Sequence, residues 1–136
     1  MSHFLQKSDD NLQAAQKLIH EHFLHAPSVH CSYYSCLQLM THILYNVLNV
    51  PPNDIRQDSK SARTGSHEII INRLVRDLHI ISPQASVSFN RQIGLLKNKR
   101  VTSDYEDRII EPTFSQGALK EANEIIRLLK QSYDLN

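Results

Sequence analysis

Leu96-Lys97-Asn98-Lys99-Arg100-Val101-Thr102-Ser103-Asp104-Tyr105 is the stretch on which the reading of this chain turns. It continues an apolar stripe that starts Phe89, Ile93, Leu96. Steps of four and three residues fall on one face only in a helix. The next position on that stripe is Arg100. A guanidinium stays charged in proteins, so a core-facing arginine is costly without compensation. A carboxylate, a water-filled cleft, a second subunit or an anionic ligand would supply it. Asp104 falls one turn later on nearly the same face, and Tyr105 follows.

The same periodicity extends outward from this segment. Ser8 is expected to cap a first helix whose apolar face is Leu12, Ala15, Ile19 and Phe23, with Asp9 and Asp10 in its first turn. Pro27 is expected to break it. A second, central helix is expected from about Ser28, with Val29, Tyr33, Cys36, Met40, Ile43 and Val47 facing inward and Leu37, Leu44 and Leu48 widening the stripe. Pro51-Pro52-Asn53 should stop it, and the polar run to Gly65 reads as a mobile loop. Ser66 is placed as the cap of a third helix with Ile71, Leu74 and Leu78 inside, and residues 82–86 as a second loop. The fourth helix is expected from about Ser88 to Glu111, closed by Pro112, and a fifth after Ser115 with Ala118, Ala122, Ile125 and Leu129 inside. Five amphipathic helices on short connections imply an all-α, up-and-down bundle, a single domain over residues 1–136.

Composition agrees. The chain has 136 residues, enough for one modest core. It has 3 glycines and no tryptophan, which disfavours a turn-rich β-fold. A formal net charge of +1 gives no global field for nucleic acid, so any such site must come from local charge. Cys31 and Cys36 form no Cys-x-x-Cys pair and read as reduced thiols. With Asp9, Asp10 and many polar residues interrupting the start, no signal peptide is expected, and no apolar run is long enough to span a membrane. A cytoplasmic protein is expected.

Arg100 followed four intervening residues later by Tyr105, in an Asp-Tyr pair, resembles the HEPN family (higher eukaryotes and prokaryotes nucleotide-binding domain). Ser32-Tyr33-Tyr34-Ser35-Cys36 with the following Leu37–Leu44 looks like that family's second helix, Ser66-His67-Glu68 like the opening of its third, and Ala118 with Ala122 fits its last. The similarity runs from about Leu12 to Leu129. It implies a four-helix bundle with an additional C-terminal helix, paired as a homodimer. Ribonuclease members carry an arginine and, after four to six residues, a histidine; two copies meet at the dimer interface and cleave RNA without metal. Here no histidine follows Arg100, and Tyr105 stands in its place. A phenol with a pKa near ~10 is a poor base at neutral pH, though it can stack on a nucleobase.

Two readings of Arg100 are open. One is a ladder of surface ion pairs, Arg100–Asp104–Arg108, each worth about 0.3–0.5 kcal/mol. The other is a cleft where Lys97, Lys99 and Arg100 hold a phosphate and Asp104, Tyr105, His67 and Tyr34 line it; His67 reads equally as a cap of the third helix, Tyr34 as a packing or dimer-interface residue, and Tyr33 packs inside. Arg73 and His79 also have the ribonuclease spacing, but on the third helix. His20, His22, His25 and His30 read as surface histidines rather than metal ligands, and His42 as a core or interface residue. No metal or other cofactor is expected.

Three functions compete. The first is a nucleotide- or RNA-binding component of a toxin–antitoxin-like or defence module, working with a nucleotidyltransferase-type partner. The second is a metal-independent endoribonuclease using Arg100 and Tyr105. The third is a structural helical adaptor.

Overall fold

The computed structural model describes residues 2–136. It is all-helical among them, with α1 (His3–His20), α2 (His25–His42), α3 (Pro52–Ala62), α4 (Ser66–Ile81), α5 (Pro83–Tyr105) and α6 (Pro112–Ser132). A π-turn over Ile43–Val47 prolongs α2. No described helix is long and apolar enough to cross a membrane.

α2 lies at the centre and packs on α1, α4, α5 and α6. Its small residues let α1 come close. The Ser8 hydroxyl donates to the Ser35 carbonyl at 2.6 Å, and the Ser28 hydroxyl donates to the Ala15 carbonyl at 2.8 Å. Leu39, Met40, Leu74, Leu78, Phe89, Ile93, Leu96, Ile125 and Leu129 fill the core with no measurable exposure. Burying one such side chain contributes about 1.5–3 kcal/mol. The central helix, the α4 stripe and the α6 stripe follow the expected periodicity.

The ends of the helices differ from expectation, because proline and serine serve a helix start or a helix stop according to the side of the boundary they occupy. Ser2, not Ser8, caps α1, accepting from the Phe4 amide; Ser8 is buried against α2. Phe23 is 73% exposed at a positive φ in the α1–α2 turn rather than inside. Pro27 does not break a helix. It sits in the first turn of α2, where its missing N–H would have no helical acceptor in any case. Gly65 precedes α4 as its cap position and Ser66 is already helical.

The polar run after Pro51 is helix α3, not a loop. Pro52 at the first position starts it, Asp54 favours its first turn, and Ile55 anchors it. Arg63 closes it in a left-handed conformation, φ 53°. Likewise Ser82 alone separates α4 from α5; its hydroxyl accepts from the Ala85 amide, and Pro83 opens α5. α5 ends at Tyr105, six residues before the expected end at Glu111, and Pro112 opens α6 instead of closing α5. Ser115 is not a cap. It donates to the Pro112 carbonyl inside α6. α3 is the shortest of the six described α-helices, and the C-terminal α6 packs against α1, α2 and α5.

Candidate functional site

Arg100 is 8% exposed and lies where α5 faces α2. Its guanidinium carbon is 5.1 Å from the Tyr33 ring centroid, and 5.9 Å from those of both Tyr34 and Tyr105. Each such contact is worth about 0.5–2 kcal/mol, more as water is excluded. The rings offset part of the burial cost but accept few of the five guanidinium N–H groups. One carboxylate contact exists, Nη1 to Asp104 Oδ2 at 3.5 Å, and Nε has no partner.

Of the surface ladder only the Arg100–Asp104 rung forms, at 3.5 Å. Arg100 is inside, and Arg108 lies beyond the end of α5, near Glu106 at 3.8 Å and over the Phe114 ring. The helix stops before Arg108 can come back over Asp104.

Asp104 turns to α2 instead. Its Oδ2 is 2.9 Å from His30 Nδ1. A carboxylate oxygen accepts, so Nδ1 carries the proton and Nε2 of a neutral ring holds the lone pair. The His30 ring stacks on Tyr34 with centroids 4.5 Å apart at 30°. His30 is thus part of this site and not a detached surface residue. It is 74 positions from Asp104 in sequence, beyond the reach of any local pattern.

The other side of the site is α4. The Tyr33 hydroxyl lies 3.1 Å from His67 Nδ1. Burial is the main cause pushing the Tyr33 phenol up to about 12, with Arg100 opposing it. The hydroxyl therefore keeps its proton, and it either donates to Nδ1 or accepts from it according to the His67 tautomer. Burial first, then Arg100 and Lys97, hold His67 below the usual imidazole range, so it is neutral near pH 7. Of the two histidines, His30 has its tautomer set by a carboxylate and leaves an acceptor at Nε2.

The lysines part company. Lys97 reaches α4, where its Nζ donates to Glu68 at 2.7 Å beside His67. Lys99 points to α6, donating to Glu121 at 2.6 Å and lying over the Phe114 ring. Lys97 stays on the site's flank, and Lys99 leaves it. Tyr105, 75% exposed, forms the outer wall. Cys31 is half-buried next to His30, and burial followed by Asp104 raises its thiol, so it stays protonated at neutral pH. Cys36 is buried, its thiol pushed up to about 12 by burial. Both cysteines are free.

The remaining histidines are scattered. His25 Nδ1 meets the Ser115 hydroxyl at 2.8 Å, joining the start of α2 to α6. His22 has Glu21 at 3.9 Å, and burial lowers His42. No group of three metal-ligating side chains occurs among the described residues. Arg73 holds Asp58 of α3 through Nε at 2.9 Å and Nη2 at 2.6 Å, while His79 is exposed elsewhere on α4. That pair forms no site.

In comparison with known proteins, no family model, no curated protein and no solved structure matches this chain.

Proposed function

We propose that the chain is a HEPN-type protein, an up-and-down four-helix core with added helices, that binds a nucleotide or RNA phosphate at Arg100. It acts in the cytoplasm as a homodimer beside a nucleotidyltransferase-type partner in a toxin–antitoxin-like or defence module. One observation carries this reading: a nine-tenths-buried guanidinium with a free Nε and a single 3.5 Å carboxylate contact. Guanidinium matches phosphate in a two-point contact, and Tyr105 offers an exposed ring to a base. Lys97 and His67 flank the anion position.

Binding of a fluorescent adenine nucleotide and of single-stranded RNA to wild type, Arg100→Ala and Arg100→Met tests it. Arg100→Met retains the stem and controls for packing. Loss of binding in both, with the helical circular-dichroism signal kept, is expected. Unchanged binding in both overturns it, and no binding by wild type leaves the structural adaptor.

The metal-independent endoribonuclease is the second reading, and His30 favours it. An imidazole oriented by Asp104, with Nε2 as acceptor near Arg100, supplies a base that Tyr105 cannot. RNA cleavage in chelator that disappears in His30→Gln and Arg100→Ala would select it over simple binding.

A further inference from the structure

Asp104 serves two basic groups with one oxygen. Oδ2 is 2.9 Å from His30 Nδ1 and 3.5 Å from Arg100 Nη1. The closer partner is the imidazole. With His30 neutral, Arg100 and Asp104 cancel, and Lys97 is already paired with Glu68. The neutral ring also presents the Nε2 lone pair, which repels an incoming anion. Adding a proton to His30 reverses both effects. The imidazolium holds the Asp104 carboxylate, Nε2 becomes a donor, and the Arg100 edge gains net positive charge. Imidazole is the side chain whose charge ordinarily changes between pH 5 and 8.

The groups around His30 are few. Its own helix supplies Cys31, Tyr33 and Tyr34; α5 supplies Arg100, Asp104 and Tyr105; α4 supplies His67 across the Tyr34 ring, with Glu68 held by Lys97. α1 and α6 place no hydrogen-bonded or ion-paired group on it among the described residues. Asp104 is its one carboxylate within ion-pair distance among them.

Access is one-sided. Tyr33, fully buried, closes the inner face of the guanidinium, and Tyr34 is half-buried beside it. The open edge runs between Tyr105, 75% exposed, and the His30 side chain, 46% exposed. A phosphate entering by one edge leads its ester arm back out the same way. A terminal phosphate has one arm and three free oxygens. An internal diester has two diverging arms, both of which must leave by that edge, between Tyr34 and Tyr105 rings that stand 5.9 Å from the guanidinium carbon.

We propose that this site takes a terminal phosphate monoester, a mononucleotide or the phosphorylated end of an RNA, by displacing Asp104 from Arg100 onto His30, which takes up one proton from solvent. This rests on the reading of Arg100 as an anion site and names its ligand class and its coupling to protons.

Calorimetry of the full chain with adenosine monophosphate and with the dinucleotide adenylyl-adenosine, at pH 7.5 in two buffers of different ionisation enthalpy, tests it. At that pH the monophosphate is mostly a dianion, its second pKa lying near ~6. The expected result is monophosphate binding with uptake approaching one proton, and binding of the diester tenfold or more weaker. Monophosphate affinity should fall by up to about tenfold per pH unit as pH rises above 7.5, the limit for one linked proton. His30→Gln should bind the monophosphate more weakly and without proton uptake, with unchanged circular dichroism. Equal affinity for the two probes with no proton uptake overturns the inference and leaves the Arg100 reading intact. RNA binding without any monophosphate binding does the same. Affinities unmoved by Arg100→Met overturn both.

Discussion

The Arg100 guanidinium carbon lies 5.1 Å from the centroid of the Tyr33 ring, a cation against the inner wall of its own site. Tyr33 does two jobs at once. Its ring faces the charge, and its hydroxyl holds His67 at 3.1 Å. The two can be separated by substitution. Tyr33→Phe keeps the ring and removes one hydrogen bond, so it should cost about 1 kcal/mol and release the His67 tautomer. Tyr33→Leu removes the ring as well and should cost about 3 kcal/mol or more, since it opens a cavity beside a buried charge. Chemical denaturation measures both costs, and nitrogen chemical shifts of His67 report the tautomer. Equal costs for the two variants would show that the ring contributes nothing to Arg100.

Alkaline titration should divide the five tyrosines. Burial pushes Tyr33 up to about 12. Burial and the hydrogen bond to Asp77, 2.6 Å from its hydroxyl, push Tyr133 higher still. A native phenol that holds its proton longer than the unfolded one contributes stability that is complete below the unfolded value near ~10 and is lost as pH rises above it. Absorbance at the phenolate band should therefore show two tyrosines ionising only with unfolding. Tyr133→Phe should remove one of them.

The acid side has the opposite sign. Burial, Arg100 and Lys97 hold His67 below the ordinary imidazole value, and burial lowers His42. The unfolded chain then binds more protons near pH 6, so stability is full above the unfolded value near ~6.5 and falls as pH drops through it. Thermal melts at pH 5.5 and 7.5 should differ, with the midpoint lower at pH 5.5, and His67→Gln should narrow that gap. A gap unchanged in His67→Gln would place the acid sensitivity elsewhere.

Close approach of α1 to α2 should make Ala15 intolerant of bulk. Ala15 is fully buried, and its carbonyl accepts from Ser28. Ala15→Leu should destabilise by about 1–3 kcal/mol through overpacking, read as a lowered melting midpoint. No change in midpoint would mean that α1 can shift away from α2 at little cost.

Helix α3 is held by one fully buried side chain, Ile55, and by the Arg73–Asp58 pair. Hydrogen exchange of its amides should be faster than that of α2, whose residues are buried on several sides. Ile55→Ala should accelerate it further and leave α2 exchange nearly unchanged. Equal protection of α3 and α2 in the wild type would show that α3 unfolds only with the whole chain.

Periodicity by itself determined the helical class, the inward faces of α2, α4 and α6, and the position of Arg100 on a buried stripe. Each depends on neighbours three or four residues apart, and such neighbours are written directly into the sequence. Helix ends were less legible. Proline, serine and polar runs act according to which side of a boundary they occupy: Pro52 and Pro83 start helices, and a polar helix such as α3 needs only Ile55 to face inward. Tertiary structure alone decided the site. It turned Lys99 to Glu121 on α6, kept Lys97 beside His67, and brought His30 from α2 onto Asp104 of α5. Side-chain partners 22 to 74 residues apart are chosen by how whole helices pack, and charge neutralisation within that packing outweighs any pattern along the chain.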